Sequence, residues 1–350
     1  MGKSKNLLVL VLVLVLSIGG LFAAGSKETV KVVEQSAKRE LLIYCPQART
    51  DFADFVAGMA KEQLGIDIEW LKAGGGTVRD KVLEEKNNPQ ADIVLGLAQI
   101  MMEPLITADC LIPYTPTWAD ELDDMYIGTD GYYHMYWQTP IILVYNPAFV
   151  KGDMIPHSWE DLADPKYKNM FRYGKLTSQT TNVYTAALLS KYSDDAGNVS
   201  DEGWGILKSI FHNAAGVGYL DYNDFASGKH PISLDWYPNP VSMAETYGFN
   251  YEIVSPKDGS PMVSEGVALV KGTKHEDVAK EFIDWFGKTE VQKEICEFQS
   301  TISGIPSVIA VVNKDLADMA NTFTKEKIQK IDWNLVGNNY QDWMTKVALW

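Results

Sequence analysis

Apolar and polar positions follow two alternating periods from Glu40 onward. The segments "ELLIYC", "IDIEWLKA" and "ADIVLGL" are almost continuously apolar, which is typical of strands buried on both faces. Between the first two, apolar side chains recur at helical spacing until Gly65, a typical helix stop. Gly74–Gly76 forms a loop before a second predicted helix, Thr77–Lys86. The alternation predicts an α/β fold with a parallel sheet covered by helices on both faces.

The second part of the chain repeats this alternation with more helices. The predicted helices are "SWEDLADPKYKNMF", which ends in a proline-marked turn, "TSQTTNVYTAALLSKY", "DEGWGILKSIFHNA" and "HEDVAKEFIDWFGK". The predicted strands are "HPISLDWYPNP" and Val263–Val270. The segment from Lys314 to Trp350 is predicted as helices that cover a lobe.

An aromatic stretch, "DGYYHMYWQTPIILVYNP", lies between these two parts at residues 130–147. Its β-branched and aromatic residues predict a strand, and Asn146-Pro147 predicts a turn after it. The pattern leaves three interpretations open: a core strand, an exposed partner surface or the wall of a ligand site.

The N-terminus has the pattern of an export signal. Lys3 and Lys5 precede the apolar run Leu7–Leu16, and a segment of small residues follows. We expect a signal peptide over residues 1–24 and a flexible tether over residues 25–38, and therefore a periplasmic or other extracytoplasmic location. An uncleaved anchor that tethers the protein to the membrane is the alternative, although the run is short for a membrane span.

Length and charge narrow the class of protein. A chain of 350 residues suits two domains better than one core. The formal net charge of -15 would repel a phosphate backbone, so nucleic acid is excluded as a partner. Cys45, Cys110 and Cys296 sit in apolar segments, and their separations match no metal motif. Buried free thiols are expected, with one disulfide as the alternative in an exported chain.

The sequence lacks the motifs that would indicate an enzyme. Its five histidines have no HExxH spacing, and no G-x-S-x-G elbow or P-loop occurs. We therefore expect no catalytic residues, no cofactor and no metal ligands.

Five segments, taken in order, resemble one family of proteins. They are "LLIYCPQ", "AGGGTVRDKVLEEKNNPQADIVLG", "TPIILVYNP", "SWEDLADPKYK" and "SEGVALVKGTKHEDVAKEFIDWF". Together they resemble the extracellular solute-binding proteins of ABC importers, in the branch that includes ferric-iron, thiamine and organophosphate binders.

The resemblance implies a type II periplasmic-binding-protein fold, with two α/β lobes that are each a mostly parallel sheet flanked by helices. Residues 39–140 and 262–312 would form the first lobe, and residues 141–261 and 313–350 the second. A small-molecule solute would bind between the lobes, which close by a hinge motion. The aromatic stretch would be the first crossing, with some of its rings facing the cleft. The other expected partners are the membrane permease and ATPase of an importer, with the binding protein itself a monomer.

Ligands of such folds are contacted by loops after strand ends and by helix N-termini. The hydroxyl cluster that begins at Ser178 suits a carboxylate or phosphate, and Trp236 beside Asp235 suits a flat or cationic ligand. The backbone N–H groups of Gly74–Gly76 are a weaker candidate, because a plain turn explains three glycines equally well. Helix caps, solvated charges and core aromatics are the structural alternatives for every group. The predicted ligand-binding residues are Gln47, Arg49, Thr50, Gln99, Trp137, Ser178, Thr180, Thr181, Asp235, Trp236 and Tyr237.

The clues to the ligand conflict. The hydroxyl cluster favours a phosphate and Trp236 favours a cationic ring, so the expected solute is thiamine or a phosphorylated or phosphonate-type organic molecule. Ferric iron or a ferric chelate is the alternative. The resemblance implies that ferric sites use adjacent tyrosines with a His and a Glu, whereas the loops here read "CPQART" and "LGLAQ" and the tyrosine pair is replaced by Trp236-Tyr237. A surface lipoprotein or adhesin that does not close on a solute is the third hypothesis.

Overall fold

The computed structural model describes residues 39–46, 50–323 and 327–350. Within these ranges, strands β1 to β9 are Glu40–Cys45, Asp67–Lys72, Ile93–Ala98, Leu111–Ile112, His134–Tyr145, Ile232–Trp236, Glu252–Val254, Met262–Val270 and Ile302–Ser303. Helices α1 to α12 are Thr50–Leu64, Gly75–Glu84, Gln99–Thr107, Gln179–Ser190, Asp201–Asn213, Tyr222–Ala226, Pro238–Tyr247, Glu276–Phe286, Thr289–Gln299, Pro306–Ile309, Lys314–Thr322 and Trp333–Val347. The predicted signal peptide and tether lie outside the described residues. Arg39–Trp350 is one compact unit.

The strands form a continuous path in the order β2–β1–β3–β8–β5–β6. β1 pairs in parallel with β2 and β3, whereas β3–β8, β8–β5 and β5–β6 are antiparallel. The expectation of mostly parallel sheets therefore holds only around β1. The reason is that β5 and β8 lie side by side and carry the chain across the fold in opposite directions.

Strand β5 belongs to two sheets. Its first part, from His134 to Pro140, pairs with β8, and its last part, from Ile141 to Tyr145, pairs with β6 and β7. Pro140 stands at the change-over, and the next backbone N–H, from Ile141, donates to the Pro261 carbonyl at 2.9 Å. We refer to the elements on the β1 side of this joint as the first lobe and to those on the β6 side as the second lobe.

The aromatic rings of β5 pack in the core and do not face a cleft. Tyr136 and Trp137 have no exposed surface. Trp137 packs edge-on against Phe52 of α1, and its Nε1 donates to Oε1 of Gln292 of α9 at 3.0 Å. The prediction of Trp137 as a ligand contact is therefore wrong, because α1 and α9 cover that face of the strand. Of the three interpretations of the aromatic stretch, the core strand is the correct one.

Two segments differ locally from their predicted form. Residues around Asp161 form short 3-10 turns, Glu160–Ala163 and Pro165–Tyr167, in place of the predicted helix. The Asp161 carboxylate accepts from the backbone N–H of His157 at 2.7 Å and so competes with helical bonding. The proline-rich end of "LDWYPNP" instead begins helix α7, because Pro238 is in the first turn, where a missing N–H costs nothing.

Helix α12 contacts both lobes. Arg79 of α2 hydrogen-bonds to the hydroxyl of Tyr340, and its guanidinium lies 5.7 Å from the centre of that ring. On another face of α12, Trp343 donates to the Gly197 carbonyl of the second lobe at 3.1 Å. The assignment of residues 313–350 to the second lobe stays a prediction.

The three cysteines are all buried, and no disulfide joins them. Burial raises the pKa of the Cys296 thiol to about 12. Among the residues that the structure describes, no helix has the length and apolar composition needed to cross a membrane.

Candidate functional site

Two adjoining cavities open where the lobes meet. The interlobe cavity has a volume of about 220 Å³ and is bounded by Pro46, Gly74, Gly75, Val263 and Glu265 of the first lobe and by Thr177–Thr180 of the second. The inner cavity has a similar volume of about 220 Å³ and lies within the second lobe. The two share the wall residues Ser178, Thr180, Tyr219, Trp236 and Asn239.

Two helix N-termini border the interlobe cavity. Gly74 precedes α2 and Ser178 precedes α4, and neither residue makes a side-chain cap bond. The backbone N–H groups of the first turn of a helix are unsatisfied within the helix, and the helix dipole adds positive potential there. Because the two N-termini meet at one cavity, backbone donors from both lobes are available to an anion.

Gln179 links the lobes beside this cavity. Its Oε1 accepts from the Ala98 backbone N–H at 2.7 Å, and its Nε2 donates to the Gly96 carbonyl and to Oε1 of Glu265, each at 3.2 Å. A Cβ atom at Gly75 would lie 2.6 Å from Cγ of Gln179, so no larger residue fits there without movement. The glycine at position 75 thus permits the close approach of α2 to α4.

Asp235 is the hydrogen-bond hub of the inner cavity. One carboxylate oxygen accepts from the Trp236 backbone N–H and from Nδ2 of Asn239, each at 2.8 Å. The other oxygen accepts from the hydroxyls of Tyr222 and Ser233. Removal from water raises the pKa of this carboxyl although the four donors oppose that effect. Asp235 therefore orients Tyr222 and Asn239 along the cavity wall.

The cationic side of the inner cavity is formed by Arg172. Its Nη2 donates to the Val217 carbonyl at 3.1 Å, and its Nε is buried without a hydrogen-bond partner. Nearby, the Lys175 ammonium lies 4.6 Å from the centre of the Tyr219 ring, which is 68% exposed at the wall between the cavities. Arg172 and the Lys175–Tyr219 pair thus place positive charge at two points around the inner cavity.

The structure brings five of the predicted residues together at the cavities: Ser178, Thr180, Thr181, Asp235 and Trp236. Gln99 and Tyr237 do not line either cavity. Gln99 is buried in the first turn of α3, and the Tyr237 ring packs edge-on against Phe323 at 5.6 Å. Gln47 and Arg49 lie outside the described residues, and Thr50 begins α1 with a side chain that is also outside them.

Most residues that complete the two cavity walls carry no signal in the sequence pattern. Arg172 and Tyr219 are in irregular segments and Tyr222 begins the short helix α6, and no sequence pattern marks any of the three. Glu265 is the exception, because a carboxylate within the apolar strand "MVSEGVALV" is itself a signal of a special position. In the structure, Glu265 is fully buried beside Gln179. Within the described ranges, no group of three or more His, Cys, Asp or Glu side chains is arranged to hold a metal ion.

A polar cavity between two α/β lobes that share crossing strands defines a protein that binds a small solute between its lobes. The sequence model of the family described as "Bacterial extracellular solute-binding protein" matches residues 88–338, and the chain belongs to this family. Proteins of this family act in transport outside the cytoplasm, and they bind a solute without converting it.

Relatives and solved structures agree with this assignment. A probable ABC transporter periplasmic-binding protein of Sinorhizobium fredii is 33% identical over 313 residues, which is 88% of this chain and 86% of the relative. A putative 2-aminoethylphosphonate-binding periplasmic protein of Salmonella typhimurium is 30% identical over 135 residues, 38% of each chain. Iron-bound HitA from Pseudomonas aeruginosa superposes with a TM-score of 0.76 at 18% identity, covering 88% of this chain and 99% of that one. AfuA from Actinobacillus pleuropneumoniae with fructose-6-phosphate has a TM-score of 0.72 at 20% identity, covering 89% and 98%. At these identities the two structures show the type II two-lobe fold alone.

Proposed function

We propose that this protein captures a small organic phosphonate or phosphate ester between its lobes and delivers it to the membrane permease and ATPase of an ABC importer. The observation that carries the proposal is the meeting of the N-termini of α2 and α4 at the interlobe cavity. The hydroxyls of Ser178 and Thr180 add side-chain donors to the backbone donors at that point.

The chemistry of an oxyanion fits this wall better than that of a metal ion. Phosphonate and phosphate oxygens accept several hydrogen bonds at once, and helix N-termini supply such donors without any counter-charge. The name of the Salmonella relative and the ligand of AfuA support the same class of compound. Trp236 offers a flat surface for an organic substituent, so thiamine phosphates belong among the compounds to test.

Ferric iron is the competing ligand, because the phenols of Tyr219 and Tyr222 line the inner cavity. A tyrosine binds ferric iron as a phenolate, however, and burial together with the neighbouring Asp235 raises the pKa of Tyr222. That shift disfavours ligation by Tyr222. The hydroxyl wall then favours the oxyanion over the metal.

Capture proceeds through closure of the lobes. A solute that touches both α2 and α4 binds the closed form more tightly than the open form, so it shifts the population toward closure. The closed form is the one presented to the permease. We also propose that residues 1–24 direct export and that residues 25–38 act as a tether.

Isothermal titration calorimetry with methylphosphonate, thiamine monophosphate and ferric citrate tests the proposal. We expect methylphosphonate or thiamine monophosphate to bind, and the paired substitutions Ser178→Ala and Thr180→Val to weaken that binding about tenfold, since each removes a donor to a charged ligand. Ser209→Ala, an exposed serine on α5, is the matched control and should bind as the parent does. Binding of ferric citrate alone would replace the proposal by the iron alternative, and binding of none of the three would end it.

A further inference from the structure

We infer that the inner cavity is a second anion subsite, so that the transported solute carries a phosphonate or phosphate group at one end and a second acidic group at the other. This inference rests on the proposed function, because it places the first group in the interlobe cavity. The solute class is then a bifunctional organic anion of the phosphonocarboxylate type. The side chain that recognises the second group is Arg172.

Arg172 has unused capacity to bind an anion. A guanidinium has five N–H donors, arranged to match a carboxylate or phosphate. Among the described residues, the guanidinium of Arg172 makes one hydrogen bond to protein, from Nη2 to the Val217 carbonyl. No carboxylate in the described part of the chain forms an ion pair with Arg172. Arg172 lines the cavity, and its Nε has neither accessible surface nor a hydrogen-bond partner. The guanidinium N–H groups that Val217 does not use are the ones available to a ligand oxygen, and a donor on a charged group is costly to leave unpaired.

The acidic residue of the same cavity does not offer a competing site for a cation. Asp235 already accepts hydrogen bonds from the Trp236 N–H, Asn239, Tyr222 and Ser233. A carboxylate has about four lone-pair positions, and these donors occupy them. An ammonium group would have to displace a protein donor to reach Asp235, whereas a carboxylate reaches Arg172 without displacing one.

The shared wall allows one solute to occupy both cavities. Five wall residues are common to the two, and Tyr219 is one of them. Lys175 adds positive charge over the Tyr219 ring at the boundary. A short chain that links two acidic groups would therefore run past Trp236 and Tyr219 from one subsite to the other.

The test compares three compounds by isothermal titration calorimetry on the full mature chain: methylphosphonate, 2-aminoethylphosphonate and 3-phosphonopropionate. We expect 3-phosphonopropionate to bind about tenfold more tightly than either of the others, because only its carboxylate pairs with Arg172. Arg172→Gln should reduce the affinity for 3-phosphonopropionate about tenfold more than it reduces the affinity for methylphosphonate. Arg39→Gln, an exposed arginine paired with Glu281, is the matched control and should leave the ratio unchanged.

The outcomes separate the inference from the proposed function. Binding of none of the three phosphonates overturns the second anion subsite, and it overturns the proposed function as well when thiamine monophosphate also fails to bind. Equal binding of all three, or tighter binding of 2-aminoethylphosphonate than of 3-phosphonopropionate, overturns only the second anion subsite. The comparison of ligands on the parent protein decides the matter even if Arg172→Gln fails to fold.

Discussion

The side-chain oxygen of Gln179 accepts a hydrogen bond from the backbone N–H of Ala98 at 2.7 Å, and this bond joins the second lobe to the first. The amide nitrogen of the same side chain donates to Gly96 and to Glu265. Gln179 is itself the first residue of α4, next to Ser178. A contact between the lobes and part of the wall of the interlobe cavity are therefore built on one helix turn.

Gln179→Ala should favour the open form of the protein. The substitution removes three hydrogen bonds between the lobes, with a loss to the closed form of about 1–3 kcal/mol. We expect a larger radius of gyration in small-angle X-ray scattering without ligand, and a solute affinity reduced about fivefold or more. Gln341→Ala, an exposed glutamine on α12, is the control. Unchanged scattering and affinity would show that Gln179 does not hold the lobes together.

Gly75→Ala should also favour the open form of the protein, in this case through a steric clash. The added methyl would lie 2.6 Å from Cγ of Gln179 and 2.8 Å from the sulfur of Met101. The expected result is weaker solute binding at a nearly unchanged melting temperature, because the second lobe can withdraw from the clash. Gly76→Ala is the matched control, since a Cβ there meets no atom within 4 Å. If both alanines lower the affinity equally, the close approach of α2 and α4 is not the cause.

Gly337→Ala should destabilise the fold. A Cβ at this position of α12 would lie 2.7 Å from the Cβ of Glu103, so α12 would move away from α3. Overpacking of this kind costs about 1–3 kcal/mol, which thermal unfolding measures. Gly58→Ala of α1 is a control with open space around it, and it should be neutral or stabilising by up to about 1 kcal/mol. A Gly337→Ala protein as stable as the parent would contradict the tight packing of α12.

His134 should make the fold less stable in mild acid. Burial lowers the pKa of this side chain from 6.5 to about 4. Between pH 6.5 and about 4, His134 is therefore protonated in the unfolded chain but neutral in the folded chain. The free energy of unfolding consequently decreases as the pH falls from 6.5 toward 4. The free energy of unfolding falls by about 3 kcal/mol in total, because each unit of pKa difference corresponds to about 1.36 kcal/mol.

Urea unfolding at pH 7 and at pH 4.5 measures this effect. His134→Gln should lose less stability than the parent between the two pH values, and the exposed His157→Gln should behave as the parent does. Equal losses in all three proteins would mean that His134 does not contribute to the pH dependence.

The cysteines should be unreactive in the folded protein. All three are buried, and the raised pKa of Cys296 keeps its thiol protonated at neutral pH. We expect Ellman's reagent to titrate no thiol on the folded chain and three after unfolding in guanidinium, with no change in melting temperature on addition of a reductant. A reductant-dependent melting temperature would instead indicate a disulfide.

Much of the fold was predictable because its strands and helices follow simple periods. The predicted strand "ELLIYC" is β1, residue for residue, and the amphipathic segment before Gly287 is α8. Strand direction was not predictable from the same pattern. A continuous apolar run such as β8 is buried on both faces whether its neighbours are parallel or antiparallel, so periodicity does not distinguish the two.

The site was predictable only where a local rule marks it. Ser178 and Thr180 were predictable as cavity residues because hydroxyls at the start of a helix are a known signature, and Trp236 because it lies at a strand end. Arg172 was not predictable because its proposed role depends on a hydrogen bond to Val217 and on a cavity shared with Tyr222, both distant in sequence. Trp137 was misassigned because an aromatic residue in a strand looks the same in a core and at a ligand site.

The proline at the joint of β5 bears on how the two lobes can move. Pro140 lacks an N–H, so the ladder of hydrogen bonds is weakest where the strand passes from one sheet to the other. Since β8 crosses beside it, sliding of one lobe past the other would break the pairing of both strands, whereas bending at the joint leaves most of it intact. We therefore expect the lobes to move mainly through a single hinge angle. An importer that senses that angle can distinguish a loaded protein from an empty one without touching the cargo.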